Sequence, residues 1–264
     1  MKVLITNDDG VHSQGIIQLA KQVRAHADEV FVVAPRVEQS GVSQAITFLS
    51  PLFPVALGGN LDSQDDHIPG YSVNGTPVDC IKLALGELCP WKPDLVLSGI
   101  NGGLNAGINV CHSGTAGGAL VAATFGIPSI AVSLEHSESM DYRLASQIIW
   151  PLIDQFRTIE LPARSCININ IPSVALGNST AGSPDVVLVP VETNPMAYHF
   201  DTGRDPKGRP FFWSTNRPNP VPSGFETDTQ ALAQGKITVS TITYDLNSSD
   251  AMNVLSEAFN SRVR

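Results

Sequence analysis

Short apolar runs that carry almost no polar residue alternate along this chain with segments of helical period, and this alternation narrows the possible folds more than any other feature. "KVLIT", "EVFVVAP", "PDLVLSGIN" and "PSIAVSL" read as strands, and "SCININIP" as a fifth. Between them "GIIQLAKQVRAHA", "VDCIKLALGEL", "GTAGGALVAATFG" and "YRLASQIIWPLIDQF" read as helices. A strand that is apolar on both faces needs a cover on both faces, which a parallel sheet with helices on either side provides. The expected fold is therefore α/β, a three-layer αβα, Rossmann-like sandwich with a largely parallel sheet that runs to about Pro172. This core occupies residues 1–175. Ligands in such sheets bind beyond the carboxyl ends of the strands.

Past the core the character changes. "AYHFDTGRDPKGRPFFWSTNRPNPVPSGFETD" is rich in Pro, Gly, aromatics and charge and lacks helical period, so it reads as a protruding hairpin arm. "TDTQALAQGKITVSTITYDL" reads as a short capped helix and a strand, and "SSDAMNVLSEAF" as a closing helix capped by Ser-Ser-Asp. Residues 176–264 form this second region.

The chain has 264 residues and a formal net charge of -9, which excludes a broad surface for nucleic-acid polymers, since phosphate backbones are held by clustered Lys and Arg. Cys80, Cys89, Cys111 and Cys166 form no C-x-x-C pair, so a reduced, cytoplasmic protein is expected. The start, one Lys and then "VLIT", is too short for a secretory signal, and no run reaches the roughly 18 apolar residues of a membrane span.

Candidate chemistry sits in four loops at strand ends: Asn7, Asp8, Asp9 and Gly10; Ser40, Gly41 and Ser43; Ser98, Asn101 and Asn105; and Ser113, Gly114 and Thr115. Adjacent carboxylates repel, and a cation at the strand end offsets that cost. The side chains are almost all oxygen donors, which suits Mg²⁺, Mn²⁺ or Ca²⁺; zinc calls for His or Cys, and only His12 and His112 lie in these loops. Each loop alone reads equally as a turn, a helix cap or close helix packing. Their shared rim is what argues for a site.

"SGTAGG" adds backbone N–H groups at the positive end of a helix, a cradle for phosphate oxygens. Metal beside phosphate points to phosphoryl chemistry. G-x-x-x-x-G-K-[ST], a post-strand G-x-G-x-x-G and G-x-S-x-G are all absent from the sequence. The D-x-D-G signature of haloacid-dehalogenase phosphatases fails at Asn7, because an amide cannot become a phosphorylated nucleophile. The larger aspartate set of nucleoside hydrolases is also missing.

Taken in order, "ITNDDGVHSQGI", "VVAPRVEQSGVSQAIT", "VNGTPVDCIKLAL", "PDLVLSGINGGLNAG", "HSGTAGGALVAATFGIPSIAVSL", "DTGRDPKGRPFFW" and "ETDTQALAQGKITVS" resemble blocks of the SurE family, the stationary-phase survival-protein 5′/3′-nucleotidases. The resemblance implies a metal-dependent phosphomonoesterase acting on nucleoside monophosphates, with one Mg²⁺ or Mn²⁺ per subunit. It implies Asp8, Asp9, Ser40 and Asn101 as metal ligands, with Asp8 and Asp9 catalytic. Ser113, Gly114 and Thr115 would lie on the phosphate, with Ser43 and Asn7 close by. It further implies a homodimer or homotetramer built through the later part of the chain, which suits an arm between about Asn194 and Glu226. A non-catalytic metal-dependent nucleotide sensor is the alternative. The chain departs from the family at His112, where Tyr is usual, and at Ser13, where Ala is commoner. His112 is thus a candidate phosphate contact or acid, with replacement of one ring by another for packing as the simpler reading.

Overall fold

The computed structural model describes residues 1–58, 68–177, 184–194, 197–217 and 224–262. Among them, six parallel strands form the centre of one sheet, in the spatial order β4 (Gly70–Val73), β2 (Glu29–Pro35), β1 (Lys2–Thr6), β5 (Leu95–Gly102), β6 (Ser129–Leu134) and β7 (Ser165–Ile171). The short β3 (Pro54–Ala56) closes one edge antiparallel to β4.

Strand alternation divides the core in two. Val3 and Ile5 of β1, Leu95 and Leu97 of β5, and Ile167, Ile169 and Ile171 of β7 face one way. They pack with Ile16, Leu19 and Val23 of α1 (Gln14–Arg24) and with Ile149 and Ile153 of α4 (Tyr142–Phe156). Leu4 and Val96 face the other way, toward Cys80 and Ile81 of α2 (Pro77–Leu83) and Ala122 of α3 (Gly114–Thr124). This is the three-layer αβα arrangement read from the apolar runs. The expected helix "VDCIKLALGEL" ends early as an α-helix: after Leu83 the chain widens into a π-turn, Ala84–Leu88, closed by the Cys89 N–H on the Ala84 carbonyl at 2.9 Å. Pro90 follows and keeps Cys89 extended, so the helix cannot continue.

The sheet does not end near Pro172. β11 (Ile237–Thr243) pairs antiparallel with β7, and β8 (Val186–Leu188) pairs parallel with β11. The exposed side of β7 is an unsatisfied edge, and "KITVSTIT" supplies a β-branched partner for it from 70 residues downstream in the chain, a distance that hydrophobic period cannot reveal.

The arm is a two-stranded antiparallel hairpin, β9 (Ala197–Arg204) with β10 (Pro210–Arg217); parts of the expected segment, residues 195–196 and 218–223, lie outside the described residues. Asp205 holds its turn by accepting from the Lys207 and Arg209 N–H groups at 2.9 Å each. The closing helix α7 (Ser249–Arg262) starts on Ser248, whose carbonyl accepts from the Met252 N–H at 3.0 Å. All four cysteines are free.

Candidate active site

β1 ends at Thr6, and the chain delivers Asn7, Asp8 and Asp9 to the carboxyl rim of the sheet. Asp8 is buried there, with 3% of its surface exposed. It lies against the first turn of α3: the Thr115 hydroxyl donates to its Oδ1, and a Cβ built on Gly114 would stand only 2.9 Å from the Asp8 Cβ. Gly114 is therefore a requirement of close approach rather than of flexibility. Burial pushes the Asp8 carboxyl up to about 6; the Thr115 hydroxyl opposes this, and the neighbouring Asp9 charge adds to it. Asp9 is only partly buried, and its Oδ2 accepts the Gly102 N–H at 2.9 Å. Burial raises its carboxyl as well.

Asn7 lies between these loops. Its Nδ2 donates to the Gly10 carbonyl at 2.9 Å and to the Ser13 hydroxyl at 2.8 Å, while its buried Oδ1 has no partner. Ser13, one of the two departures from the family pattern, thus holds Asn7 instead of capping α1. The Ser40 loop joins from β2. The Gln39 N–H donates to the Asp8 carbonyl at 2.7 Å, and the exposed Ser40 hydroxyl donates to Glu38 at 2.7 Å. From β5 comes Asn101, whose Nδ2 donates to the Gly103 carbonyl at 2.7 Å. Register shifts along β5 between Ser98 and Asn101, an irregularity that re-aims the side chains beyond it.

The fourth loop is the helix start. Ser113 caps α3 by accepting the Ala116 N–H at 3.0 Å. Ser43 docks onto the turn before it, donating from its backbone to the His112 carbonyl at 3.0 Å and from its hydroxyl to the Cys111 carbonyl at 2.7 Å. Gly117 permits this approach, since a Cβ there would meet the Ser43 carbonyl at 2.9 Å. The His112 side chain is exposed, as is His12.

Asn7, Asp8, Asp9, Ser43, Asn101 and the Ser113–Thr115 turn are thus joined by direct contacts or by adjacent backbone at one rim, and Ser40 is linked to it through Gln39. Two other loop residues go elsewhere. Ser98 is fully buried beneath α3, near the Cβ position of Gly118. Asn105 is locked into a buried network, with its N–H on Asn170 Oδ1 and its Nδ2 on the Ser133 hydroxyl, both at 2.8 Å. Tyr142 was not legible as part of this rim. Its hydroxyl would stand 2.8 Å from a Cβ on Gly102, beside Asp9, and burial followed by the Asp9 charge pushes it up to about 12. Thr76 and Asp79 were also missed as supports. They form a reciprocal cap on α2 while Asp79 accepts the Thr47 N–H at 3.0 Å, pinning the strap that continues from Ser43. The T-x-x-D spacing was the available signal.

A rim holding two desolvated neighbouring carboxylates, an orphan buried amide oxygen and a hydroxyl-capped helix start is suited to a hard cation beside an anion. Among the described residues no three side chains drawn from His, Cys, Asp and Glu gather to hold a metal, so a cation here takes its further ligands from neutral oxygens. The family profile described as survival protein SurE matches residues 3–185.

The chain belongs to the SurE family.

Across 97% of its length the chain is 38% identical to a protein of Rhodopirellula baltica named 5′-nucleotidase SurE, covering 98% of that protein. A protein of Syntrophobacter fumaroxidans with the same name is 36% identical at the same coverage of both chains. The crystal structure of the SurE protein from Aquifex aeolicus superposes with a TM-score of 0.80 at 29% identity, covering 98% of this chain and 99% of that one. The SurE fold therefore extends past the matched profile, through β11 and the C-terminal region.

Proposed function

We propose that this chain is a divalent-metal-dependent phosphomonoesterase that hydrolyses nucleoside 5′-monophosphates, with 3′-monophosphates as further substrates, to nucleoside and phosphate. The observation that carries this reading is the placement of Asp8, a desolvated carboxylate beside Asp9, against the N-terminus of α3. The names of the curated relatives support the same activity.

Asp8, Asp9, Ser40 and Asn101 are the residues that would hold one Mg²⁺ or Mn²⁺. Such a cation, when bound, supplies positive charge that polarises a phosphate and lowers the pKa of water. The other parts belong to the chain. Thr115 keeps Asp8 ionised by hydrogen bonding to its charged form, and the Gly102 N–H does the same for Asp9. The Ser113–Gly114 turn offers the phosphate the positive end of α3. Ser43 and Asn7 flank it, and exposed His112 lies where the nucleoside would leave the site. The amide of Asn7 cannot take up a phosphoryl group, so we assign direct attack of water on phosphorus, with Asp9 orienting that water.

We further propose that two or four copies assemble through the C-terminal region. A lone hairpin is marginal in water, yet this one bears Phe211 and Trp213 on one face and Phe200 and Phe212 on the other, all substantially exposed. Met252, Leu255 and Phe259 form an equally uncovered stripe along α7. A cytoplasmic location agrees with four free cysteines. No helix among the described residues is long and apolar enough to cross a membrane.

The test is phosphate release from 5′- and 3′-nucleoside monophosphates after EDTA treatment, with and without restored Mg²⁺ or Mn²⁺, for wild type and Asp9→Asn. Metal-restored release that the variant lacks is the expected result. Nucleotide binding without release in wild type would replace the enzyme with the sensor.

A further inference from the structure

Asp228 opens α6 (Asp228–Ala233) and is fully buried, far along the chain from the four loops. Three backbone N–H groups converge on its carboxylate: Gly107 on Oδ2, and Glu192 and Thr229 on Oδ1, each at 2.8 Å. Burial raises this carboxyl, the three donors oppose that, and Glu192 adds to it. Three donors arranged for one buried anion form a rigid clamp, because each would be left unsatisfied if the carboxylate moved.

What the clamp holds matters more than the clamp. Gly107 has φ +59, a left-handed conformation that glycine supplies cheaply, and it starts the single 3₁₀ turn Gly107–His112. The far end of that turn carries the two carbonyls that seat Ser43, and it leads without a gap into Ser113, Gly114 and Thr115. A shift at Gly107 is therefore passed through six residues to the Ser43 wall and to the helix start that touches Asp8.

We propose that Asp228 is a positioning residue of the phosphate site: through Gly107 it sets the 3₁₀ turn that places Ser43 and the α3 N-terminus opposite Asp8. The inference rests on the phosphomonoesterase reading above. It also gives the arm's root a defined connection. Glu192, on the approach to β9, accepts from the Asn194 N–H at 2.8 Å and from the Thr227 hydroxyl at 3.3 Å, so the segments flanking the hairpin meet at the same clamp.

The experiment compares wild type, Asp228→Asn, Gly107→Ala and Glu192→Gln. Asp228→Asn keeps the shape but can offer only one oxygen, so either Gly107 or the Glu192–Thr229 pair faces an NH₂. Gly107→Ala disturbs the same turn from its other side, by strain at positive φ and by a Cβ 3.1 Å from Thr229 Cγ2, and it leaves α6 capped. Glu192→Gln loosens the arm's root and keeps the Gly107 bond. Kinetics on a 5′-nucleoside monophosphate, metal half-saturation and melting temperature are read for each. Asp228→Asn and Gly107→Ala should lose kcat/KM by about tenfold or more, with metal half-saturation within twofold of wild type and Glu192→Gln near wild type throughout. Should Asp228→Asn fail to fold, Gly107→Ala alone carries the comparison. A kcat/KM within twofold of wild type in the folded variants overturns the proposal, as does a loss shared equally by Glu192→Gln. An inactive wild type would instead refute the enzymatic reading on which the proposal rests.

Discussion

Replacing Asp8 by Asn should make the metal-free protein more stable while removing its activity. The native Asp8 carboxyl keeps its proton until about pH 6, whereas the unfolded one loses it near 3.8. Between those values the native state binds more protons than the unfolded state, so stability falls as pH rises and stays low above about pH 6. A displacement of about two units corresponds to roughly 3 kcal/mol at neutral pH and above. Asn removes the charge but offers the Thr115 donors a weaker acceptor, which costs about 1 kcal/mol. The net gain of about 2 kcal/mol should raise the melting temperature by roughly 5 °C at pH 8. The assay is thermal unfolding of EDTA-treated wild type and Asp8→Asn from pH 4 to pH 8. The gap should open through pH 4–6 and then remain constant. Added Mg²⁺ should stabilise wild type at pH 8 and leave the variant unmoved. A variant that melts no higher than wild type at pH 8, or a gap independent of pH, would refute the claim that this buried charge is held at a cost for a cation.

Two other outcomes follow from the same geometry. Thr115→Val deletes the hydroxyl that holds Asp8 ionised, so the acid limb of the pH–activity profile should move to higher pH, with roughly tenfold loss at pH 6 that narrows toward pH 8.5; superimposable profiles would remove Thr115 from that role. Phe212→Ser combined with Trp213→Ser takes apolar surface from both faces of the hairpin, so light scattering should report a smaller assembly than wild type. An unchanged mass would show that the hairpin joins no subunits.

Phosphate release restored by metal and abolished in Asp9→Asn, together with the kinetic separation of Asp228→Asn from Glu192→Gln, would complete this set. Each reads a different layer of one rim: the carboxylates, the groups that hold them ionised, and the turn that sets the helix opposite them.

The order of strands and helices through β7 was legible because apolar period is local: each run carries its own record of which faces are buried. The chemical type of the site was legible for a similar reason. "NDDG", "QSG", "GIN" and "SGT" each end an apolar run or open a helix, and in a parallel sheet such ends share one rim. What depends on pairing between distant segments was not legible. β11 and β8 complete the sheet because β7 exposes an edge to them, and nothing within "KITVSTIT" says which edge it will meet. The irregularity after Ser98, which buries that serine and turns Asn101 to the rim, depends on register with β6. Ser13 was visible only as a departure from its family, and its bond to Asn7 required the folded loop. Asp228 read as a helix cap, which it accompanies, but its hold on Gly107 spans 121 residues of chain. Sequence alone determined the fold class and which oxygen donors stand at strand ends, since both follow from short-range pattern. Tertiary structure alone decided which donors meet, how deeply Asp8 is desolvated and what fixes the turn opposite it, because contact and burial are properties of the packed chain.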